Sequence, residues 1–238
     1  AQVMGPFLSL RSADQIHTDI AYNDVNVRLI GTHAGVTAGG GPTHNCIADL
    51  ALYRAIPNLT VVVPADAGQC CKAIRQSLTY QGPMVIRIDR AGSPAVYADN
   101  DYEFEFGKAI ETLPGTDVTI ISAGSPVYWS MMGAKKLKEE YGISARVIDM
   151  HTIKPLDTEM VLKCARETGN VVTVEEHSIN GGLGSAVAEV LMENGFGGKF
   201  KRIGLPDEFA VLGDTDEIYK YYGLDPDGIA KTVAELLK

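Results

Sequence analysis

Short β-branched runs alternate along the chain with longer amphipathic stretches, a pattern that predicts strands and helices layered around parallel sheets. In the first half, residues 26–32 (NVRLIGT), 60–64 (TVVVP) and 84–89 (MVIRID) read as strands. Residues 45–56 and 66–80 carry helical periodicity, with Asp66 as an N-cap and Pro57 standing where the first helix must stop. In the second half, 117–123 (DVTIISA), 145–150 (ARVIDM) and 170–175 (NVVTVE) read as buried strands. Helices are expected at 127–141, 157–168, 183–194, 216–222 and 226–237, the last opened by Asp225 and Pro226. The segment 91–101 (AGSPAVYADND) breaks all periodicity and marks the junction of two units, 1–95 and 102–238. The expected fold class is therefore α/β, with two parallel-sheet domains. A helical stretch at 9–21 has no predicted strand ahead of it, and three strands make a small sheet. The first domain is thus expected to lack its N-terminal part or to have its sheet completed by another chain.

Charge narrows the function. The 238 residues hold 21 Lys+Arg against 30 Asp+Glu, a net charge of −9 that offers no chain-wide attraction to nucleic acid or to an anionic membrane. No apolar stretch reaches the ~18 residues of a membrane span, and the first residues carry no signal-peptide pattern, so a cytoplasmic location is expected. The four cysteines show no paired spacing, as in reduced thiols.

Ligands of open parallel sheets bind beyond the carboxyl ends of the strands. His33 and Arg90 follow two such strands, and the glycine-rich run AGVTAGGGPTHN leads from His33 to His44 at the mouth of the helix expected from residue 45. Two histidines, an arginine and a helix N-terminus can converge on a phosphorylated small molecule. Against this stand plainer readings: a tight glycine turn, an arginine in a surface ion pair, and two histidines with no third metal ligand at a useful spacing. The later run NGGLGS at 180–185 lacks a dinucleotide fingerprint and reads as a strand-to-helix turn rather than a phosphate cradle. Glu175, Glu176 and His177 read as interface or capping residues, Cys70 and Cys71 as packing, and the tyrosines at 219–222 as core or subunit contact.

The stretches RSADQI, AYNDVNVRLIGTHAG, GGGPTHN and DLALYRAIPNLTVVVPAD resemble the pyrimidine-binding domain of transketolase. VIDMHTIKPLD, VVTVEEHSINGGLGSAV and YKYYGLDPDGIAKTV look like its C-terminal domain, so the resemblance covers nearly the whole chain. It is nearest to the C-terminal subunit of two-subunit transketolases. 1-Deoxyxylulose-5-phosphate synthase and the β subunit of 2-oxoacid dehydrogenases share parts of the pattern. The resemblance implies a thiamine diphosphate enzyme of the pentose phosphate pathway that moves a two-carbon ketol unit between phosphorylated sugars. It also implies an N-terminal partner subunit holding the diphosphate with Mg2+ or Ca2+, self-association into a heterotetramer, and inactivity of this chain alone.

Position by position, the resemblance implies that Phe7 stacks on the cofactor's aminopyrimidine, with Met4 where a second aromatic often stands. His33 and Arg90 would contact the sugar phosphate, and His44 would assist proton movements on the transferred unit. Two departures accompany it. Gly40 stands where the family has an aspartate that recognises a sugar hydroxyl, and the glutamate that protonates the aminopyrimidine lies upstream of Ala1. These support a rival expectation, a non-catalytic fragment or assembly subunit of such an enzyme.

Overall fold

Two five-stranded sheets carry the fold among the described residues, which are 1–37, 40–90, 92–97 and 102–238 of a computed structural model. Part of the expected junction, residues 91 and 98–101, lies outside them.

The first half contains β1 (Gln2–Met4), α1 (Gly5–Ser9), α2 (Ala13–Gln15), a π-helical turn (Ile16–Ala21), β2 (Arg28–Thr32), a 3-10 turn (Gly41–Thr43), α3 (Asp49–Ala55), β3 (Thr60–Val62), α4 (Ala67–Ser77) and β4 (Met84–Arg87). The second contains β5 (Ile110–Leu113), β6 (Val118–Ser122), α5 (Pro126–Tyr141), β7 (Ala145–Asp149), β8 (Thr152–Lys154), α6 (Thr158–Thr168), β9 (Asn170–Ser178), α7 (Leu183–Glu193), β10 (Lys199–Leu205), α8 (Thr215–Tyr222) and α9 (Pro226–Leu237).

The strand order is β1-β2-β4-β3-β8 in one sheet and β10-β9-β6-β7-β5 in the other. Each keeps a parallel body and adds one antiparallel edge strand, β8 beside β3 and β5 beside β7. The expected α/β class with two parallel-sheet units holds, each sheet carrying one antiparallel strand at its edge. The body strands are legible because both faces of a central parallel strand are covered. All five residues of β6 and all four of β4 are buried, and such strands read as continuous apolar runs. The edges escaped for the opposite reason. β10 alternates exposed Lys199 and Lys201 with half-buried Phe200 and Arg202, and β1, β5 and β8 are only three or four residues long.

Two expectations about the first sheet are corrected. A strand does precede the N-terminal helical region, since β1 pairs in parallel with β2 through Gln2↔Ile30, Val3↔Gly31 and Met4↔Thr32. The far edge is closed by β8, from the chain's own second half, through Val61↔Lys154 and Val62↔Thr152. The chain reaches it directly from β7: Met150 N–H donates to Ser122 of one sheet, and the next carbonyl, of His151, accepts from Val63 of the other, both at 2.7 Å. The apolar core follows the same route, running from Leu8, Leu50 and Val61 to Ile121, Ile148 and Leu183 in one cluster.

The capping signals hold. Asp66 accepts from Gln69 N–H at 2.8 Å and Asp225 from Gly228 N–H at 3.0 Å, and Ile56 leaves the helix just ahead of Pro57. The helix expected from residue 45 starts only at Asp49, because residues 41–43 form a separate 3-10 turn. Cys70 is half-buried, but Cys71 is exposed, which corrects its reading as a packing residue; the four cysteines form no disulfide. Tyr219 is core, whereas Tyr221 is 67% exposed. Among the described residues no helix is long and apolar enough to cross a membrane.

At the seam between the halves, Asp149 at the end of β7 is fully buried. Its Oδ2 accepts from Tyr97 Oη and from Gln69 Nε2, both at 2.6 Å. Burial pushes its carboxyl up to about 7, although these two donors pull it back. The folded state therefore keeps the proton to higher pH than the unfolded chain, and this contribution to stability is lost as pH rises from about 4 to about 7. Asp149→Asn stays neutral and escapes the loss. Its stability relative to the wild type should improve across that window by on the order of 3 kcal/mol, read from denaturant midpoints at pH 4.5 and pH 8. A pH-independent difference would contradict the raised value.

Candidate active site

The glycine-rich run after β2 is pinched into a loop by one isolated bridge. Gly35 N–H donates to the Cys46 carbonyl at 3.0 Å and Cys46 N–H to the Gly35 carbonyl at 2.7 Å. His33 lies two residues before this neck and His44 two residues before its return, so both histidines sit beside it. His33 is half-buried with a left-handed backbone (φ 58°), its Nδ1 2.9 Å from Thr32 Oγ1. A non-glycine residue held there is strained by on the order of 1–3 kcal/mol, a feature that gathers at functional sites.

The neighbouring strand supplies the next partner. β2 and β4 are paired, and the chain beyond β4 runs alongside the loop: Ala34 N–H donates to the Ile88 carbonyl at 3.1 Å, and Arg90 N–H to Thr37 Oγ1 at 3.1 Å. Arg90 is exposed and borders a cleft of about 210 Å³ with Asp66, Cys70, Asp89 and Ser93. The residues 38 and 39 of the loop lie outside the described set.

Phe7 reaches the site from α1. Its ring meets the His44 imidazole edge-on, 5.9 Å between centroids, and Arg11 Cζ lies 4.3 Å above its centre. A half-buried aromatic face that already attracts a cation is suited to stacking a flat, electron-poor ring. Met4, half-buried, sits in register with Thr32, one residue before His33. Gly40 packs directly on His44: a Cβ there would lie 2.7 Å from the histidine's Cβ and Cγ. A larger residue at this position requires His44 to move, so the glycine and the placing of His44 are linked.

The helix N-terminus expected at His44 is not there. α3 opens only at Asp49, a buried acidic residue, so the anion-binding part of that expectation is corrected. Asp49 Oδ2 accepts from Arg87 Nε at 2.8 Å, with side chains only 1% and 6% exposed. Arg87 Nη2 donates further to the carbonyls of Cys46 (3.2 Å) and Glu176 (3.0 Å), so one guanidinium grips α3, the loop neck and β9 together. The sequence reading missed Arg87. Its signal was an arginine inside the apolar run MVIRID, where a charge must find partners.

Glu175, Glu176 and His177 act as the interface and capping set that their positions suggested. Glu175 accepts from Leu183 N–H at 2.7 Å and Gly184 N–H at 2.8 Å, so the turn NGGLGS is occupied by the chain's own carboxylate rather than open to phosphate. Glu176 accepts from Val36 N–H at 2.6 Å. Burial pushes both carboxyls up to about 7, with helix amides pulling Glu175 back and Arg87 pulling Glu176 back. His177 is held neutral, burial taking it down to about 4: Nδ1 donates to the Ser178 carbonyl at 2.7 Å, and Nε2 accepts from Ala51 N–H at 3.4 Å. Among the described residues, no group of three His, Cys, Asp or Glu side chains is placed to hold a metal ion.

This geometry sits at the carboxyl ends of paired parallel strands in the first of the two sheets. Residues 2–94 match the transketolase pyrimidine-binding domain and residues 107–229 the transketolase C-terminal domain. An apulose-4-phosphate transketolase subunit of Phocaeicola vulgatus is 45% identical over 239 residues, covering 99% of this chain and 76% of the relative. A 6-deoxy-6-sulfo-D-fructose transketolase subunit of a Clostridium species is 39% identical over 231 residues, covering 97% and 71%. A solved split-gene transketolase, described as an inactive β4 tetramer, superposes with a TM-score of 0.88 at 39% identity, covering all of this chain and 75% of that one. The fold and these matches make the chain a subunit of a thiamine diphosphate-dependent transferase. The chain belongs to the transketolase family.

Proposed function

We propose that the chain is the C-terminal subunit of a two-subunit transketolase, which moves a two-carbon ketol unit between phosphorylated sugars once joined to the chain that holds the cofactor's diphosphate. The observation that carries this reading is the meeting of Phe7, His44 and the pinched loop bearing His33 at the strand ends of the first sheet. Its relatives named as transketolase subunits support it. Thiamine diphosphate, when bound, supplies the nucleophilic carbon that attacks a ketose carbonyl. In this chain Phe7, with Met4 beside it, would hold the aminopyrimidine ring. The divalent cation and the diphosphate fall to the partner subunit.

The remaining roles are those the family resemblance implies, and charge and position suit them. Arg90, exposed at the rim, would grip the sugar phosphate with its fork of donors, and His33 would share that load at the loop neck. His44 would exchange protons with the hydroxyl of the transferred unit, a task suited to imidazole. Gly40 leaves no side chain in contact with the sugar at its position, so acceptance of sugars with unusual hydroxyl configurations is expected.

The test is ketol transfer by the complex reconstituted with its partner chain. Arg90→Ala should raise KM for a phosphorylated ketose about 10- to 100-fold, as expected for loss of a hydrogen bond to a charged group, with little change in kcat. An unchanged KM would remove Arg90 from the phosphate site. No ketol transfer by the complete complex would favour the assembly-subunit reading.

A further inference from the structure

We propose that Glu176, contributed by the second half of the chain, is a positioning residue that sets the turn at Gly35 and Val36 and thereby the placing of His33. The inference rests on the reading of His33 as a phosphate ligand.

The contact is direct and buried. Glu176 is 3% exposed at the end of β9, and its Oε1 accepts from Val36 N–H at 2.6 Å across the seam between the halves. Its other oxygen lies 3.3 Å from Ser125 Oγ, which is itself 3.0 Å from Tyr219 Oη, so the carboxyl is fixed from behind by α5 and α8. The Glu176 main chain holds the same neck from the other side, because Arg87 links its carbonyl to that of Cys46, the bridge partner of Gly35. Val36 N–H is a buried donor, and a carboxylate oxygen gives it a short, strong acceptor.

The loop is shaped to receive this carboxyl. Gly35 has a left-handed backbone (φ 64°), and a Cβ on it would lie 2.2 Å from the Glu176 carboxyl carbon and Oε1. No side chain fits between the turn and the glutamate. His33, two residues earlier, is itself left-handed, a conformation that persists only where its surroundings over-determine it. At the amide of Val36, three residues beyond His33, the second half takes hold of this segment by a side chain. A residue of the domain that carries none of the proposed ligands therefore decides where one of them stands.

The test is a double-mutant cycle on the reconstituted complex. Glu176→Ala should raise KM for a phosphorylated ketose by about tenfold or more through misplacement of the ligand, with kcat changed far less. Glu176→Gln, which keeps an acceptor oxygen, should recover most of that loss. In a His33→Ala background, Glu176→Ala should add less than about a twofold effect, because the ligand it places is gone. A full, multiplying effect in that background overturns the proposal, as does an unchanged KM in Glu176→Ala.

Should Glu176→Ala fail to fold, Gly35→Ala drives the turn off the same carboxyl, and the identical cycle with His33→Ala is read from it. Amide exchange reports the contact without substrate. Val36 should lose protection in Glu176→Ala and keep it in Glu176→Gln, and retained protection in the Ala variant overturns the proposal. If His33→Ala leaves KM unaltered while Val36 loses protection, the phosphate reading of His33 falls and the hold of Glu176 on the turn stands.

Discussion

Arg87→Met should destabilise the chain by about 3–5 kcal/mol, the largest single effect expected of any substitution considered. The methionine fills the space but leaves the Asp49 carboxylate buried with its partner gone, and strips donors from the carbonyls of Cys46 and Glu176. The loss arises mostly from stranding a charge rather than from breaking an attraction. A second substitution that removes the stranded charge, Asp49→Leu in the Arg87→Met background, should therefore recover a large part of it. Urea unfolding of the three variants reads both steps. A loss below about 1 kcal/mol for Arg87→Met would mean that the carboxylate is solvated in spite of its burial.

His44→Ala should lower kcat of the reconstituted complex by about 10²-fold or more, with the fold intact and KM little altered. Imidazole would act here on a proton in the reaction itself, so its removal shows in turnover, in contrast to Arg90, whose loss shows in KM. The contact with the Phe7 ring gives a control. The ring lies against one edge of the imidazole, and His44→Asn keeps polarity there without a titrating group. That variant should remain as slow as the alanine one. Wild-type turnover in either variant would place proton movement elsewhere.

Much of the fold was legible because its central strands are apolar on both faces and its helices carry ordinary caps. MVIR and VTIIS announce themselves, and Asp66, Pro57 and Asp225 stand where the chain turns. The three- and four-residue edge strands leave no such trace. β8 in particular is read from its place beside β3, which no local pattern records. His33 and Arg90 were legible as polar residues following predicted strands and His44 as the end of a glycine-rich run, whereas Phe7 and Met4 entered only through the family resemblance. What joins them was not. The partnership of Arg87 with Asp49, and of Glu176 with Val36, links residues 38 and 140 positions apart, and only the shape of the seam brings them together. The helix expected from residue 45 failed for a related reason: its first residues pair back to Gly35 rather than entering the helix.

The placing of β8 is felt when the two halves are parted: a cut between them takes from β3 the strand that covers its edge and leaves a row of unpaired peptide groups ready to join a foreign sheet. Neither half is therefore a self-contained cassette, however cleanly a boundary divides them on the linear map. Whatever the gene's history, residues 60–62 and 152–154 have to travel together in one folded unit.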